Sequence, residues 1–244
     1  MKGIVLAAGD GGRLRPLSDT RPKVLLPMLG KPLIAYPVDS LVWAGITEIG
    51  VVVGYRAPQL EEALSTIAPA GIQLTVIHNP DFEGGNALSI KAAADFVGDE
   101  HFVLCMGDHV IDRTFVSRVT GGDESEVVLA VDSEASLDSQ LNDATRVQVD
   151  PDGRLIRIGK GLRQWNAVDT GVFRFAPSVF KKIDALHRTH GDGLELNIVM
   201  QSLAFEDPGV STRDVEGLFW SDVDTVEDYR TVGDHLEDAY GIGV

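Results

Sequence analysis

The 244-residue chain predicts an α/β fold: a mostly parallel sheet sandwiched by helices, with a small antiparallel hairpin lobe. Three observations support it. Short Val- and Ile-rich runs alternate with amphipathic stretches of helical length over the first 120 residues, the order expected of β-α-β units. The runs are continuously apolar rather than alternating, so their strands bury both faces, as in a parallel sheet covered by helices. Hydrophobic residues at 44% and charged residues at 24% are globular values, which excludes a disordered or fibrous chain.

In chain order, Ile4–Ala8, Ile49–Val53, Leu74–Ile77 and Phe102–Met106 read as strands, with Pro32–Ala44, Pro58–Ile67, Ala87–Phe96 and Arg113–Val119 as the helices between or after them. Val127–Val131 adds a buried strand. Thr145–Val149 and Leu155–Ile158 then alternate apolar with polar around Pro151-Asp152-Gly153, a hairpin signal. Val168–Phe175 returns to a buried strand, Pro177–His187 and Leu194–Leu203 are helical in pattern, Trp220 ends a short strand, and Val226–Tyr240 closes as a helix. No repeat or Pro/Ser-rich linker intervenes, so residues 1–244 read as one domain, with a first half over 1–120 and a second half carrying the hairpin over 121–244.

The 37 acidic and 21 basic side chains leave a formal charge of −16. That balance argues against a nucleic-acid polymer as partner, because such binding rests on Lys and Arg neutralising phosphates. The charge is uneven: residues 1–100 hold 8 basic and 11 acidic side chains, net −3, and residues 101–244 hold 13 and 26, net −13. Within the first 31 residues the sign reverses, since Lys2, Arg13, Arg15, Arg21, Lys23 and Lys31 face only Asp10 and Asp19, net +4. A cationic island on an anionic chain suits an anion. The single Cys105 precludes an internal disulfide and reads as core, and no Cys/His cluster has zinc-ligand spacing. The N-terminal apolar run of about five residues is too short for a signal-peptide core or a membrane span, so the expected setting is cytoplasmic.

The first strand leads into Leu6-Ala7-Ala8-Gly9-Asp10-Gly11-Gly12-Arg13-Leu14-Arg15-Pro16-Leu17, followed by Arg21-Pro22-Lys23. Glycines directly after a buried strand let backbone N–H groups approach an anion closely, and two cations lie beside them. The dinucleotide fingerprint G-x-G-x-x-G needs Gly at position 14, where Leu14 stands, which removes a dinucleotide-dependent oxidoreductase; no G-x-x-x-x-G-K-[ST] occurs either. Mg²⁺ prefers hard oxygen ligands, commonly one or two carboxylates plus substrate phosphates. Gly107-Asp108 ends a strand at the carboxyl edge of the sheet, where ligands of open α/β folds collect. Trp220-Ser221-Asp222-Val223-Asp224-Thr225 supplies the second carboxylate, Asp222 first and Asp224 second, the other being free to cap the last helix. Ahead of another helix stand Gly84-Gly85-Asn86-Ala87-Leu88-Ser89, where Asn86 either caps the helix or hydrogen-bonds a base edge.

Leu6-Ala7-Ala8-Gly9-x-Gly11-x-Arg13-Leu14-x-Pro16-Leu17 with Pro22-Lys23, continued by Gly30-Lys31-Pro32-Leu33-Ile34, resembles the signature loop of the nucleotidyltransferases that join a nucleoside triphosphate to a sugar- or polyol-phosphate. The resemblance implies their Rossmann-like, nucleotide-diphospho-sugar transferase type of fold, with residues 1–120 binding nucleotide and 121–244 the acceptor. It implies Arg13 on the β/γ phosphates, Lys23 beside the α-phosphate, backbone donors at Gly9, Gly11 and Gly12 with Leu6, Ala7 and Ala8 also in the nucleotide site, and Mg²⁺ on Asp108 and Asp222. Arg13, Lys23 and Asp108 are thereby the catalytic candidates, and Gly85, Asn86 and Ser89 the base-reading ones. Asn86 with Ser89 three residues on resembles the cytidylyltransferase branch.

Lys160 falls where the family holds the acceptor phosphate, and Asp169, Thr170 and Gly171 correspond to its acceptor-binding strand. Gly159 replaces a Glu that contacts sugar hydroxyls in the hexose-1-phosphate enzymes, so a non-hexose acceptor is implied. With Gly107-Asp108-His109, Ile158-Gly159-Lys160, Trp165 and Asp169–Phe173, the chain looks most like CTP-dependent inositol-1-phosphate cytidylyltransferases. The implied partners are a nucleoside triphosphate and a small phosphorylated alcohol, with assembly into homo-oligomers left open. Two readings compete: a hexose-1-phosphate nucleotidyltransferase using UTP, dTTP or GTP, and a non-catalytic nucleotide-binding regulatory homologue. The presence of Arg13, Lys23, Asp108, Asp222 and Lys160 argues against the latter. His187 and His190 lack a third ligand and read as a solvated helix end, and Asp123, Glu124, Glu237 and Asp238 as ordinary exposed acids.

Overall fold

The computed structural model describes residues 1–121, 125–141 and 143–240; Asp123 and Glu124 therefore lie outside the described residues. In chain order these form β1 (Lys2–Ala7), β2 (Pro27–Met28), β3 (Lys31–Pro32), α1 (Ala35–Trp43), β4 (Glu48–Val53), α2 (Ala57–Ile67), β5 (Gln73–His78), α3 (Asn86–Lys91), α4 (Ala94–Val97), β6 (Phe102–Met106), β7 (His109–Ile111), α5 (Ser117–Thr120), β8 (Val127–Asp132) and α6 (Asp138–Leu141). They continue as β9 (Arg146–Val149), β10 (Leu155–Gly159), β11 (Ala167–Phe175), α7 (Ser178–His190), α8 (Leu196–Ala204), β12 (Ser211–Asp214), β13 (Trp220–Asp222) and α9 (Val226–Tyr240).

The main sheet runs β10-β9-β11-β6-β1-β4-β5, with β8 joined to β11 and β12 to β8. Strands β6, β1, β4 and β5 are parallel, as their apolar runs and intervening helices require. Alternation along these strands sends Val5, Val51, Val103 and Cys105 to a core shared with α1 and α2, and Ile4, Val52, Phe102 and Leu104 to a second core shared with α3, α7 and α8. The sheet is therefore sandwiched by helices, as expected. In the second core the Phe102 ring lies 5.5 Å from Phe175 and 5.4 Å from Phe180. Burying each such ring contributes roughly 1.5–3 kcal/mol.

The second half is organised around β11, which is antiparallel to β6, β8 and β9, while β9 and β10 form the expected hairpin. The β11–β8 register breaks between Asp169 and Phe173, opening the strand at Asp169–Gly171. A third, smaller core packs Leu14 and Leu26 against Val223, Val232 and Leu236, which fixes the loop after β1 beside the start of α9.

Several boundaries differ from the sequence reading. Pro32 belongs to the β2/β3 ribbon, closed by Leu29 and Gly30 at φ 46° and 80°, so α1 begins at Ala35 instead of Pro32. The helix expected over Ala87–Phe96 is broken into α3 and α4, where Ala93 turns tightly to donate to the Ile90 carbonyl at 3.0 Å and packs into the core. Of the helix expected over Arg113–Val119, only α5 forms: the Asp112 carboxylate caps the Thr114 N–H at 2.7 Å and the chain turns there. Trp220 opens β13 instead of ending a strand, because its Nε1 is drawn inward to donate to Asp132 Oδ2 at 2.8 Å while Ser221 and Asp222 pair with β7. No helix among the described residues is long and apolar enough to cross a membrane.

Candidate active site

At the end of β1 the chain turns through Gly11 at φ 63°, where a Cβ would stand 2.5 Å from the Lys23 Cβ, so only glycine fits. Ser18 Oγ ties the turn down by donating to the Gly11 carbonyl at 2.9 Å, and the fully buried Leu14 anchors its far side. Gly9, Gly11, Gly12, Arg13 and Lys23 line one concavity of about 370 Å³, closed by Asp224. Leu6, Ala7 and Ala8 form the strand end behind it: the Leu6 carbonyl accepts from Gly107 and the Ala8 carbonyl from Tyr55.

Lys23 is 8% exposed. Its Nζ pairs with Asp108 Oδ2 at 2.6 Å and with Asp224 Oδ1. Burial alone would lower its pKa, but these two carboxylates outweigh burial and hold the ammonium well above its ordinary range. Burial likewise pushes the Asp108 carboxyl up, while Lys23 and then His109 pull it below its usual range. The ammonium is thus favoured over the neutral amine and held from two sides.

Asp108 and Asp222 lie 114 positions apart in sequence and are brought together by the β7/β13 ribbon, whose antiparallel register sets Asp222 opposite His109. The Val223 N–H donates to the Asp108 carbonyl at 3.2 Å and locks the pair. Burial pushes the Asp222 carboxyl up to about 6; the His109 ring opposes this, and Asp224, Asp108 and Asp228 add to it. Its Oδ1 is buried and accepts no hydrogen bond among the described residues. A desolvated carboxylate with an orphaned oxygen beside a second carboxylate is a donor set that fits a hard divalent cation completed by phosphate oxygens. Asp224 has its oxygens taken by Lys23 and Arg13, which favours Asp222 as second ligand. No group of three or more His, Cys, Asp or Glu side chains among the described residues forms a metal cage by itself.

A second concavity of about 480 Å³ opens between the two halves. Arg13, Asn86, Asp108, Lys160, Asp169, Gly171 and Asp222 all line it. Asp169 accepts from the Gly171 N–H at 2.8 Å, yet burial pushes its carboxyl up to about 6. Gly171, at φ 75°, lies against the His109 ring, where a Cβ would come within 2.4 Å of Cε1. The His109 Nδ1 carries its proton toward the Thr170 carbonyl at 3.0 Å, so its Nε2 is turned to Asp108, 3.6 Å away. Thr170 is fully buried, donating from Oγ1 to the Ala130 carbonyl at 2.9 Å, and supports the site from behind.

The base-reading candidates are only partly brought to the cavity. Asn86 lines it, and its Oδ1 accepts from the Leu196 N–H at 2.7 Å, capping α8 rather than its own helix. Ser89 is buried and accepts from Asn79 Nδ2 at 3.0 Å, behind Asn86. Gly85 packs against Leu194 and donates its N–H to the Asp192 carbonyl at 2.7 Å. His187 pairs with Asp192 at 2.9 Å outside the lining of this cavity, and Cys105 is buried in β6.

The cavity also contains Gln140, Asp143, Thr145, Glu195 and Asn197, none of which the sequence marks as a site residue. Gln140 donates from Nε2 to the Trp220 carbonyl at 2.8 Å and so ties the segment before β9 to β13. Asp143 contacts Arg13 Nη1 at 3.0 Å and Lys160 Nζ at 2.8 Å, bridging the two halves. These residues carry no local motif; only the folded strand order assembles them.

Comparison with known proteins agrees with this architecture. A family model described as nucleotidyl transferase matches residues 2–239. The chain is 32% identical over 236 residues to the low-salt glycan biosynthesis nucleotidyltransferase Agl11 of Haloferax volcanii, covering 93% of this chain and 64% of that protein. It is 33% identical over 230 residues to the bifunctional IPC transferase and DIPP synthase of Thermococcus kodakarensis, covering 94% of this chain and 49% of the relative. The chain thus spans about half to two thirds of the length of these curated relatives. The solved structure of the inositol-1-phosphate CTP transferase from T. maritima superimposes with a TM-score of 0.82 at 29% identity, over 97% of this chain and 96% of that one.

Proposed function

This chain belongs to the nucleotidyl transferase family, and we propose that it transfers a nucleotidyl group, from CTP by preference, to the phosphate of a polyol such as inositol-1-phosphate. The observation that carries the reading is the convergence of Arg13, Lys23, Asp108, Asp222 and Lys160 on adjoining concavities, which offers cations to two anionic substrates at once. The inositol-1-phosphate CTP transferase structure and the polar lining around Asp169 support a polyol acceptor.

An acceptor phosphate oxygen attacks the α-phosphorus. A P–O bond forms there as the bond to the bridging oxygen of the leaving pyrophosphate breaks. The nucleophile is already anionic, so no general base is needed; the protein brings two anions together and stabilises developing charge. Lys23, fixed between Asp108 and Asp224, sits at the α-phosphate; Arg13 and the Gly9–Gly12 backbone steady the pyrophosphate; Lys160 holds the acceptor in line. Asp108 and Asp222 would hold Mg²⁺, which when bound would neutralise phosphate charge. Asn86, with its Oδ1 engaged by Leu196, offers Nδ2 to a base edge.

The test is a pyrophosphate-release matrix of CTP, UTP, GTP, ATP and dTTP against inositol-1-phosphate, glucose-1-phosphate and phosphocholine, with Mg²⁺ present. CTP with inositol-1-phosphate is expected to be fastest. Preferred turnover of glucose-1-phosphate with UTP, dTTP or GTP would replace the acceptor assignment, and no release from any pair would overturn the activity.

A further inference from the structure

The cations that the proposed reaction needs for two different phosphates are joined through one carboxylate. Asp143 places Oδ2 3.0 Å from Arg13 Nη1 and Oδ1 2.8 Å from Lys160 Nζ, one oxygen to each. Arg13 comes from the loop after β1 and Lys160 from the end of the hairpin, and all three side chains line the same cavity. Hydrogen bonding to Lys160 is foremost in holding the Asp143 carboxyl below its usual range, and Arg13 adds to it, so the bridge is ionic at neutral pH.

An anion lodged between two phosphate-binding cations occupies the charge position that substrates must take. We propose that Asp143 is an internal competitor: it ties Arg13 to Lys160 while the site is empty, and its displacement is part of substrate binding. The proposal rests on the functional reading above, which makes both cations phosphate ligands. The side chains are 58%, 46% and 58% exposed for Arg13, Asp143 and Lys160, so the bridge is weak enough to open at each turnover. Asp224 holds the other amino group of Arg13, so the loop cation stays oriented when Asp143 leaves. Asp143 is thereby a positioning residue, acting on substrate affinity through the two cations.

Asp143→Asn keeps shape and removes the charge, and Asp143→Glu restores the charge. Calorimetric titration with magnesium pyrophosphate probes the Arg13 side, and steady-state KM for the acceptor phosphate probes Lys160. The expectation for Asp143→Asn is about two- to fivefold tighter pyrophosphate binding and a similar fall in acceptor KM, with kcat within about twofold of wild type. Asp143→Glu is expected to bring both values back toward wild type, which a merely structural role would not do; Asp143→Ser serves in place of Asn if that variant misfolds. Wild type binding pyrophosphate while the neutral variants bind it no more tightly overturns the proposal alone. Wild type that binds no pyrophosphate overturns the functional reading and the proposal with it.

Discussion

Lys23 and Lys160 present the same ammonium group in opposite surroundings. Lys23 has a side chain 10% exposed, rises from a short helical turn, and is clasped by Asp108 and Asp224. Lys160 is 58% exposed at the end of the hairpin and touches only Asp143 among the described carboxylates. A buried charge held from two sides is oriented before substrate arrives and needs no reorganisation as the reaction proceeds, whereas an exposed charge on a flexible stem adapts to its ligand. In the proposed reaction this difference assigns rate to the first lysine and affinity to the second.

Removing Lys23 has the largest expected effect. Lys23→Ala should lower kcat by about a hundredfold or more, roughly 3 kcal/mol of lost electrostatic stabilisation, while circular dichroism shows a folded chain. Activity within a few fold of wild type would remove the distinction between the two lysines. Asp222→Asn comes next: half-saturating Mg²⁺ should rise by about tenfold or more, and an unchanged metal titration would shift the ligand role to Asp224. Lys160→Ala should raise the acceptor KM by about tenfold with the triphosphate KM nearly unchanged, the expected signature of an affinity residue. An equal loss toward both substrates would contradict the division of labour.

The smallest expected effect is on stability, at Asp169. Burial raises its carboxyl to about 6 in the folded chain, above the value of about 4 for an exposed aspartate. The folded state therefore binds that proton more tightly than the unfolded state, so stability falls as pH rises from about 4 to 6 and stays reduced above. Asp169→Asn should stabilise the protein by about 1–3 kcal/mol at pH 7.5 and leave it unchanged near pH 4, read as denaturation midpoints at the two pH values. Equal effects at both pH values would show that the carboxyl is not desolvated. Weaker acceptor binding in the same variant would mark the burial as functional.

The same contrast explains what the sequence revealed. The loop after β1 was legible because its glycines, Arg13 and Lys23 lie in one contiguous segment whose backbone chemistry is local, and the parallel strands because both their faces are apolar. Asp108 was legible as a strand-end acid. The pairing of Asp108 with Asp222 depends on two three-residue strands, β7 and β13, too short to leave a periodicity. The second half was only outlined: Asp143 precedes β9 while Glu195 and Asn197 stand at the start of α8, and they meet only in the folded cavity, which no spacing encodes. Net charge misled in one respect, since the −16 of the whole chain says little about a site where Arg13, Lys23 and Lys160 converge.

The most direct measurement of the central claim, that one site joins two phosphates, is ³¹P NMR of the wild-type protein with CTP, inositol-1-phosphate and Mg²⁺. A new pair of coupled diphosphate resonances growing in step with pyrophosphate is expected. Unchanged CTP, or CTP hydrolysed with the acceptor phosphate resonance intact, would contradict it.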